Sequence, residues 1–399
     1  MVDKPKILYI LFEGLPPTVI DSQVLLHIRH MQENSDYQFE VWSFAPNKPL
    51  YEYSLTKKSH AEKLSGAPVH IFPAKRPALP GSTYINGYKI KRLLKKRANE
   101  FSFIHARSDY SAACCSGLSK KLKIPVIWDC RGDALAEFVD HFCIKNLYDK
   151  LFSFLKIRAV KRNINLAAAG AAGVIFVSNP LEALYHDLTP SIPKEIIPCV
   201  AAERLFFPDE HLRVKCRHDL KIPEDETLFI YSGSLAPYQC FEETVTLFSQ
   251  INKKNPKTHL LILTPDQEKA RKFLKKTLDN NNWQVESANV NAVNSYLNAA
   301  DAGIMLRKPV QTNLVASPTK FAEYVLTGLR VIMNDNVADS SKIAHEIGAY
   351  LSFEEACKLR PQPTTSRVSI YKAALPKVTR SGVRHKYVNI YNAMRNLRK

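Results

Sequence analysis

The chain has 399 residues, too many for one ordinary core and suited to two α/β domains. Its 45% apolar and 24% charged residues exclude a disordered or fibrous protein, and the longest apolar stretch, residues 166–177, falls short of the roughly 20 residues a membrane-crossing helix requires. The formal net charge of +18 is the unusual bulk property and points to an anionic partner: a membrane leaflet, nucleic acid or a phosphorylated substrate.

From the N-terminus, residues 6–12 read as a buried strand, and Glu13 ends that apolar run before a signal-peptide core forms, so the sequence predicts a cytoplasmic protein. Further strands are expected over 39–44, 101–105, 125–129 and 173–177, with amphipathic stretches such as 19–31 and 110–122 between them. That alternation predicts a parallel sheet covered by helices. A second series of strands follows over 228–232, 259–263, 283–285, 302–306 and 331–333. Between the two series, residues 198–223 are charged, proline-bounded and without clear periodicity, which suits a connection. The expected organisation is an N-terminal Rossmann-like domain over 1–205 and a C-terminal one over 206–370. A C-terminal helix over 371–399 is expected to pack back toward the first domain through Val383, Tyr387, Ile390, Tyr391 and Met394. The eight cysteines are scattered and form no C-x-x-C, so reduced thiols are expected rather than a zinc or redox site.

Open α/β sheets bind ligands at the carboxyl ends of their strands, so the loops after the strands carry the chemistry. Residues 316–328, ASPTKFAEYVLTG, follow one strand and precede another. Ser317 is a good N-cap and Pro318 belongs at the first helical position, which would leave the N–H groups of Thr319 and Lys320 facing a phosphate. Lys320 adds charge, and Glu323, four residues after Thr319, shares its helix face and would accept from ribose hydroxyls. Residues 228–239, LFIYSGSLAPYQ, end a strand in Ser232, Gly233 and Ser234, where the glycine admits close backbone approach and the hydroxyls would donate to phosphate oxygens. In the first half, FEGLPP (residues 12–17) lacks the G-x-G-x-x-G of dinucleotide binders, which argues against a nicotinamide enzyme. IHARSD and WDCRGD end neighbouring strands with His105, Arg107, Asp129 and Arg131. Together they read as a polar cleft wall or, equally, as a structural ion pair of Asp129 with Arg131.

The ordered elements IHARSD, WDCRGD, IYSGSLAPYQC, YLNAADAGIMLR and SPTKFAEYVLTGLRVI resemble the GT-B glycosyltransferases, specifically the retaining glycosyltransferase family 4, over residues 6 to about 346. Glu323 and the segment Gly328, Leu329, Arg330, Val331, Ile332 are similar to the family's E-x-x-x-x-G-x-P-V pattern, with Arg330 in place of proline. Elsewhere the chain departs from the family: Val315 stands where an earlier glutamate is usual, and Gln239 and Cys240 where a lysine is usual. The resemblance implies two facing Rossmann-like domains with a cleft between them, the nucleotide-sugar donor on the second and the acceptor on the first.

It further implies a hexosyltransferase-like, metal-independent and retaining enzyme without a cofactor. Donor contacts would come from Ser232, Gly233, Ser234, Gln239, Arg307, Ser317, Thr319, Lys320 and Glu323. Asp129 and Arg131 would be catalytic, and Glu13, Gly14, His105 and Arg107 would line the acceptor side. A lipid-linked saccharide of surface polysaccharide biosynthesis is the favoured acceptor, taken up at the inner face of an anionic membrane, with a soluble saccharide as the alternative. Residues 89–97, KIKRLLKKR, are the expected membrane contact, with Ile90, Leu93 and Leu94 dipping among six basic residues. No aromatic residue interrupts this block, which argues against nucleic acid. Two further readings are a GT-B-fold sugar-nucleotide epimerase and a catalytically inactive nucleotide-sugar binding module.

Overall fold

The computed structural model describes residues 4–16, 19–77, 79–143, 145–278 and 282–398; Pro17 of the first candidate loop and Lys399 of the tail lie outside them. The chain divides into two compact units, one of Met1–Pro198 with Arg384–Lys399 and the other of Cys199–Val383. The division lies between Pro198 and Cys199, against the expected position near 205, and the end of the chain is shared between the units.

The first unit holds the strands β1 (Lys6–Leu11), β2 (Gln38–Ala45), β3 (Val69–Pro73), β4 (Phe103–Arg107), β5 (Val126–Cys130), β6 (Gly173–Phe176) and β7 (Lys194–Ile196). They pair in parallel in the order β3-β2-β1-β4-β5-β6-β7. KILYIL of β1 is buried beyond its first residue and VIWDC of β5 throughout, as strands covered on both faces require. The five expected strands form with ends moved by a residue or two, while β3 and β7 are additional and occupy the two edges. The helix expected over 110–122 is broken into Ser108–Cys115 and Leu118–Leu122.

Residues 89–97 run through the end of the helix Ser82–Leu94, and they correct the expected membrane contact. Ile90 and Leu94 are fully buried in the unit's own core, on a helix that packs against the helix Ser108–Cys115. Two of the cations are also committed to the fold: Lys89 Nζ donates to the Pro73 carbonyl at 2.5 Å, and Arg97 forks onto Glu40 at 2.8 and 2.9 Å.

The second unit holds β8 (Thr227–Ser232), β9 (Thr258–Leu263), β10 (Trp283–Glu286), β11 (Ala302–Met305) and β12 (Arg330–Met333), all parallel, in the order β10-β9-β8-β11-β12. At the amino end of its sheet Asp301 accepts from Arg213 at 2.7 Å, Arg217 at 3.3 Å, Arg367 at 3.4 Å and the Leu228 N–H at 2.8 Å. In place of the single C-terminal helix expected from 371 there are two, Val368–Val378 and Arg380–Leu397. The segment from Arg384 belongs to the first unit, where Ile390, Tyr391 and Met394 are buried. Among the described residues no helix is long and apolar enough to cross a membrane.

Candidate functional site

Each sheet reverses its strand order once, between β1 and β4 in the first unit and between β8 and β11 in the second. Such reversals open a crevice at the carboxyl ends of the two strands. The sequence-predicted residues gather at these places, within each unit separately.

In the second unit, β8 ends at Ser232 and the chain turns through Gly233, whose φ of +141° lies in the region that favours glycine. Lys320 comes from the helix Thr319–Leu326 and reaches back across the reversal. Its Nζ donates to the Ser232 carbonyl at 3.2 Å and lies 4.7 Å from the centre of the Tyr231 ring. It is buried, not exposed at a helix start as the sequence suggests, because the ring and the turn enclose its stem. Burial, and then the neighbouring charge of Arg307, lowers its pKa well below the usual lysine range. Arg307 follows β11 and is itself buried. Its backbone is held by Asn334 and Asn336, whose side chains donate to its carbonyl at 2.8 and 2.7 Å. Neither cation forms an ion pair with a carboxylate among the described residues.

Ser317 does not cap the helix. Its hydroxyl accepts from the Cys199 N–H at 2.8 Å, Pro318 occupies the N-cap position in extended geometry, and no side chain satisfies the first donors. A tertiary partner thus takes the hydroxyl that local chemistry assigns to the helix start, and the N–H groups around Thr319 stay available to an anion. Glu323 keeps part of its side chain open to solvent, yet burial pushes its carboxyl up to about 7, with Lys320 acting in the opposite sense. Gln239 closes a short turn after Pro237, and its Oε1 is buried without a hydrogen-bond partner among the described residues. The Ser234 carbonyl accepts from the Tyr231 hydroxyl at 2.7 Å. Lys308, the residue after Arg307, stands 3.8 Å from Glu243 and is paired.

Tyr324 is a residue that sequence reasoning passes over. Its hydroxyl accepts from the Ser232 N–H at 2.9 Å and fixes the end of β8. The ring can lie there only because Gly303 has no side chain: a Cβ on Gly303 would stand 2.5 Å from the ring. The glycine in A-D-A-G-I is the one signal for this contact.

In the first unit, Glu13 follows β1, Arg107 ends β4, and Asp129 is the neighbour of Arg107 across β5. Asp129 is fully enclosed, with Oδ1 3.5 Å from Arg131 Nη1 and Oδ2 3.3 Å from His105 Nε2 and 4.0 Å from Arg107 Nη1. The histidine contact is within ion-pair reach but off the line of a hydrogen bond. Burial alone would raise this carboxyl; the charge of Arg131, followed by His105 and Arg107, holds it well below the usual carboxylate range. So firm a carboxylate is a poor general base. Arg107 Nε reaches Glu13 at 3.2 Å, and the Gly14 N–H donates to the Phe44 carbonyl at 3.3 Å. His105 Nδ1 lies 3.0 Å from the Tyr391 hydroxyl on the C-terminal helix. In WDCRGD the last carboxylate, Asp133, is used locally, capping the helix Ala134–His141 through Leu135 and Ala136. Ser108, directly after β4, takes φ +76°, a strained position at the strand reversal that no sequence signal announces.

No protein-family profile matches the chain, and no curated protein matches its sequence. Solved structures do match it. Anabaena Alr3699/HepE in complex with UDP and glucose aligns with 98% of this chain and 100% of its own at a TM-score of 0.68 and 13% identity. Sucrose-phosphate synthase from Thermosynechococcus elongatus aligns with 97% of this chain and 98% of its own, at 0.61 and 13%. S. aureus MnaA with UDP aligns with 98% and 97%, at 0.55 and 10%. The fold is that of the GT-B glycosyltransferases. In GT-B terms, the seven-stranded sheet belongs to the first unit and the five-stranded sheet to the second.

Proposed function

We propose that the protein is a glycosyltransferase of the family 4 type that moves a sugar from a nucleotide-sugar donor, held in the second unit, to a saccharide acceptor. The observation that carries this reading is the pair Lys320 and Arg307: two buried cations, the charge of Arg307 lowering the pKa of Lys320, beside a glycine turn and an uncapped helix start, with no carboxylate paired to either among the described residues. Buried charges without counter-ions are costly, and a diphosphate supplies the missing negative charge. UDP and glucose in the HepE structure support a nucleoside diphosphate donor for a fold so alike.

In this reading the helix start, Lys320 and Arg307 stabilise the leaving diphosphate, the Glu323 carboxylate accepts from the ribose, and Gln239 Oε1 accepts from a further hydroxyl of the donor. Asp129 holds Arg131 and His105 in place on the acceptor side and does not itself take a proton. Val315, fully buried, leaves the earlier carboxylate position apolar, so leaving-group stabilisation carries more of the catalysis. The acceptor is a lipid-linked saccharide of surface polysaccharide assembly, the reaction is retaining, and no divalent metal is needed because protein cations meet the diphosphate.

Calorimetry with UDP, GDP, dTDP and CMP sugars tests the donor site. One class is expected to bind, and Lys320→Ala and Glu323→Ala are each expected to weaken it by about 1.5–3 kcal/mol, the worth of a charge-assisted hydrogen bond. Unchanged affinity in both variants removes the assignment. Turnover is expected to persist in EDTA; activity that disappears and returns with Mn²⁺ or Mg²⁺ overturns metal independence. Turnover of the donor with no acceptor present would instead identify an epimerase.

A further inference from the structure

The helix Leu147–Gly170 of the first unit is anchored by one face and bare on the other. Ser153, Val160, Ile164 and Ala167 are buried against the unit. On the opposite face Leu147, Tyr148, Leu151, Phe154 and Leu155 recur at helical spacing and point outward, Leu147 at 82% exposure and Tyr148 at 75%. Large apolar side chains this exposed, contiguous on one stripe, are not the scattered surface leucines of a soluble domain. Arg158 and Arg162 continue the same stripe. Arg158 stacks on the Phe154 ring at 5.0 Å, and Arg162 on the ring of Tyr84, itself half exposed at the start of the helix Ser82–Leu94. Ile85 and Tyr88 extend the apolar surface along that second helix, with Tyr88 at 69% exposure.

The charge around the stripe decides what covers it. The helix carries five bases, Lys150, Lys156, Arg158, Lys161 and Arg162, and one acid, Asp149, whose carboxylate accepts from the Lys145 N–H at the helix start. None of the five bases forms an ion pair among the described residues. A second copy of this basic surface would meet like charge, whereas an anionic bilayer offers phosphates to the arginines and lysines and an acyl boundary to the leucines and rings. Tyrosines at the edge of the stripe suit the headgroup level.

We propose that this stripe, from Leu147 to Arg162 with Tyr84 and Tyr88, is the surface by which the protein lies on an anionic membrane. The proposal stands on this surface alone and is independent of the donor reading, so vesicle binding measured without a donor can fail or succeed separately from it.

The full chain is sedimented with phosphatidylcholine vesicles, with and without phosphatidylglycerol. Binding is expected only with the anionic lipid and is expected to fall in high salt. Leu147→Ser with Leu151→Ser and Phe154→Ser is expected to lower binding by at least about tenfold. Arg158→Gln with Arg162→Gln is expected to lower it roughly fivefold per residue. The side chains are exposed, so melting curves should stay those of the parent. As an independent reading, Leu151→Trp should shift its emission to the blue on anionic vesicles. Three outcomes overturn the proposal: equal binding to neutral vesicles, a greater loss on changing Lys91, Arg92, Lys95 and Lys96 to glutamine than on changing the stripe, or a dimer that the triple variant dissociates and that no vesicle binds.

Discussion

Lys320 and Glu323 lie on one turn of the same helix, and their surroundings favour the neutral form of each. Burial, then Arg307, lowers the lysine; burial raises the carboxyl to about 7. Between the ordinary carboxyl range and about 7, the native state keeps a proton on Glu323 that the unfolded chain has released, so this group costs stability as pH rises through that window. Lys320 acts in the other sense, since the unfolded chain binds a proton the native state refuses, and its cost lifts as pH rises toward the ordinary lysine value. A nucleotide-sugar donor bound as proposed would reverse both preferences, because its diphosphate would need the ammonium and its ribose the carboxylate. Donor affinity is therefore expected to fall below about pH 7, approaching tenfold per pH unit. Glu323→Gln should flatten that acid limb, and Lys320→Met should flatten the fall at high pH. Calorimetry across pH at constant ionic strength checks both, and an acid limb that survives in Glu323→Gln would assign it to another group.

At the scale of elements, the central strands were legible because parallel strands covered on both faces must be continuous apolar runs, as in KILYIL and VIWDC. The edge strands were not. Lys194–Ile196 has three residues and Val69–Pro73 ends in proline, so neither offers a run or an alternation to read. The candidate residues of the second unit do lie in loops and helix starts after strands, yet Ser317 and Lys320 behave differently from their local signals because each is claimed by a partner far along the chain, Cys199 and Ser232. Asp301 is the same lesson at larger cost. Its partners Arg213, Arg217 and Arg367 lie 88, 84 and 66 residues away, and no spacing joins them. This carboxylate ties the helix Glu210–Asp219 and the loop before Val368–Val378 to the starts of β8 and β11. Asp301→Asn keeps the volume but leaves three buried guanidiniums without their counter-charge, and is expected to destabilise the second unit by about 3–5 kcal/mol in urea unfolding. A loss under about 1 kcal/mol would mean that the carbonyls of Asn298, Ala299 and Ala300, which also accept from these arginines, suffice on their own.

For the whole molecule, the path of the chain makes the first unit depend on its last residues. Residues from Arg384 onward count with Met1–Pro198, so the unit is closed by a helix added after the second unit is complete. Tyr391 is wholly buried there, with its hydroxyl 3.0 Å from His105 Nδ1 and 3.4 Å from His27 Nε2, and its ring packs against Phe103 and Tyr37. His105 in turn faces Asp129, so the helix supports the cluster of His105, Asp129 and Arg131. A fragment ending at Pro198 would expose Phe103 and Tyr37 and leave two buried imidazoles without their shared hydroxyl. It is expected to lack a cooperative thermal transition, and joining residues 384–399 to it through a flexible linker is expected to restore one. In the intact chain, Tyr391→Phe removes only the hydroxyl and should cost about 1–3 kcal/mol. Circular dichroism melts of the fragment, the linked fragment and Tyr391→Phe decide the matter: a bare 1–198 fragment that melts cooperatively at the temperature of the linked form would show that the returning helix is dispensable to the fold of the first unit.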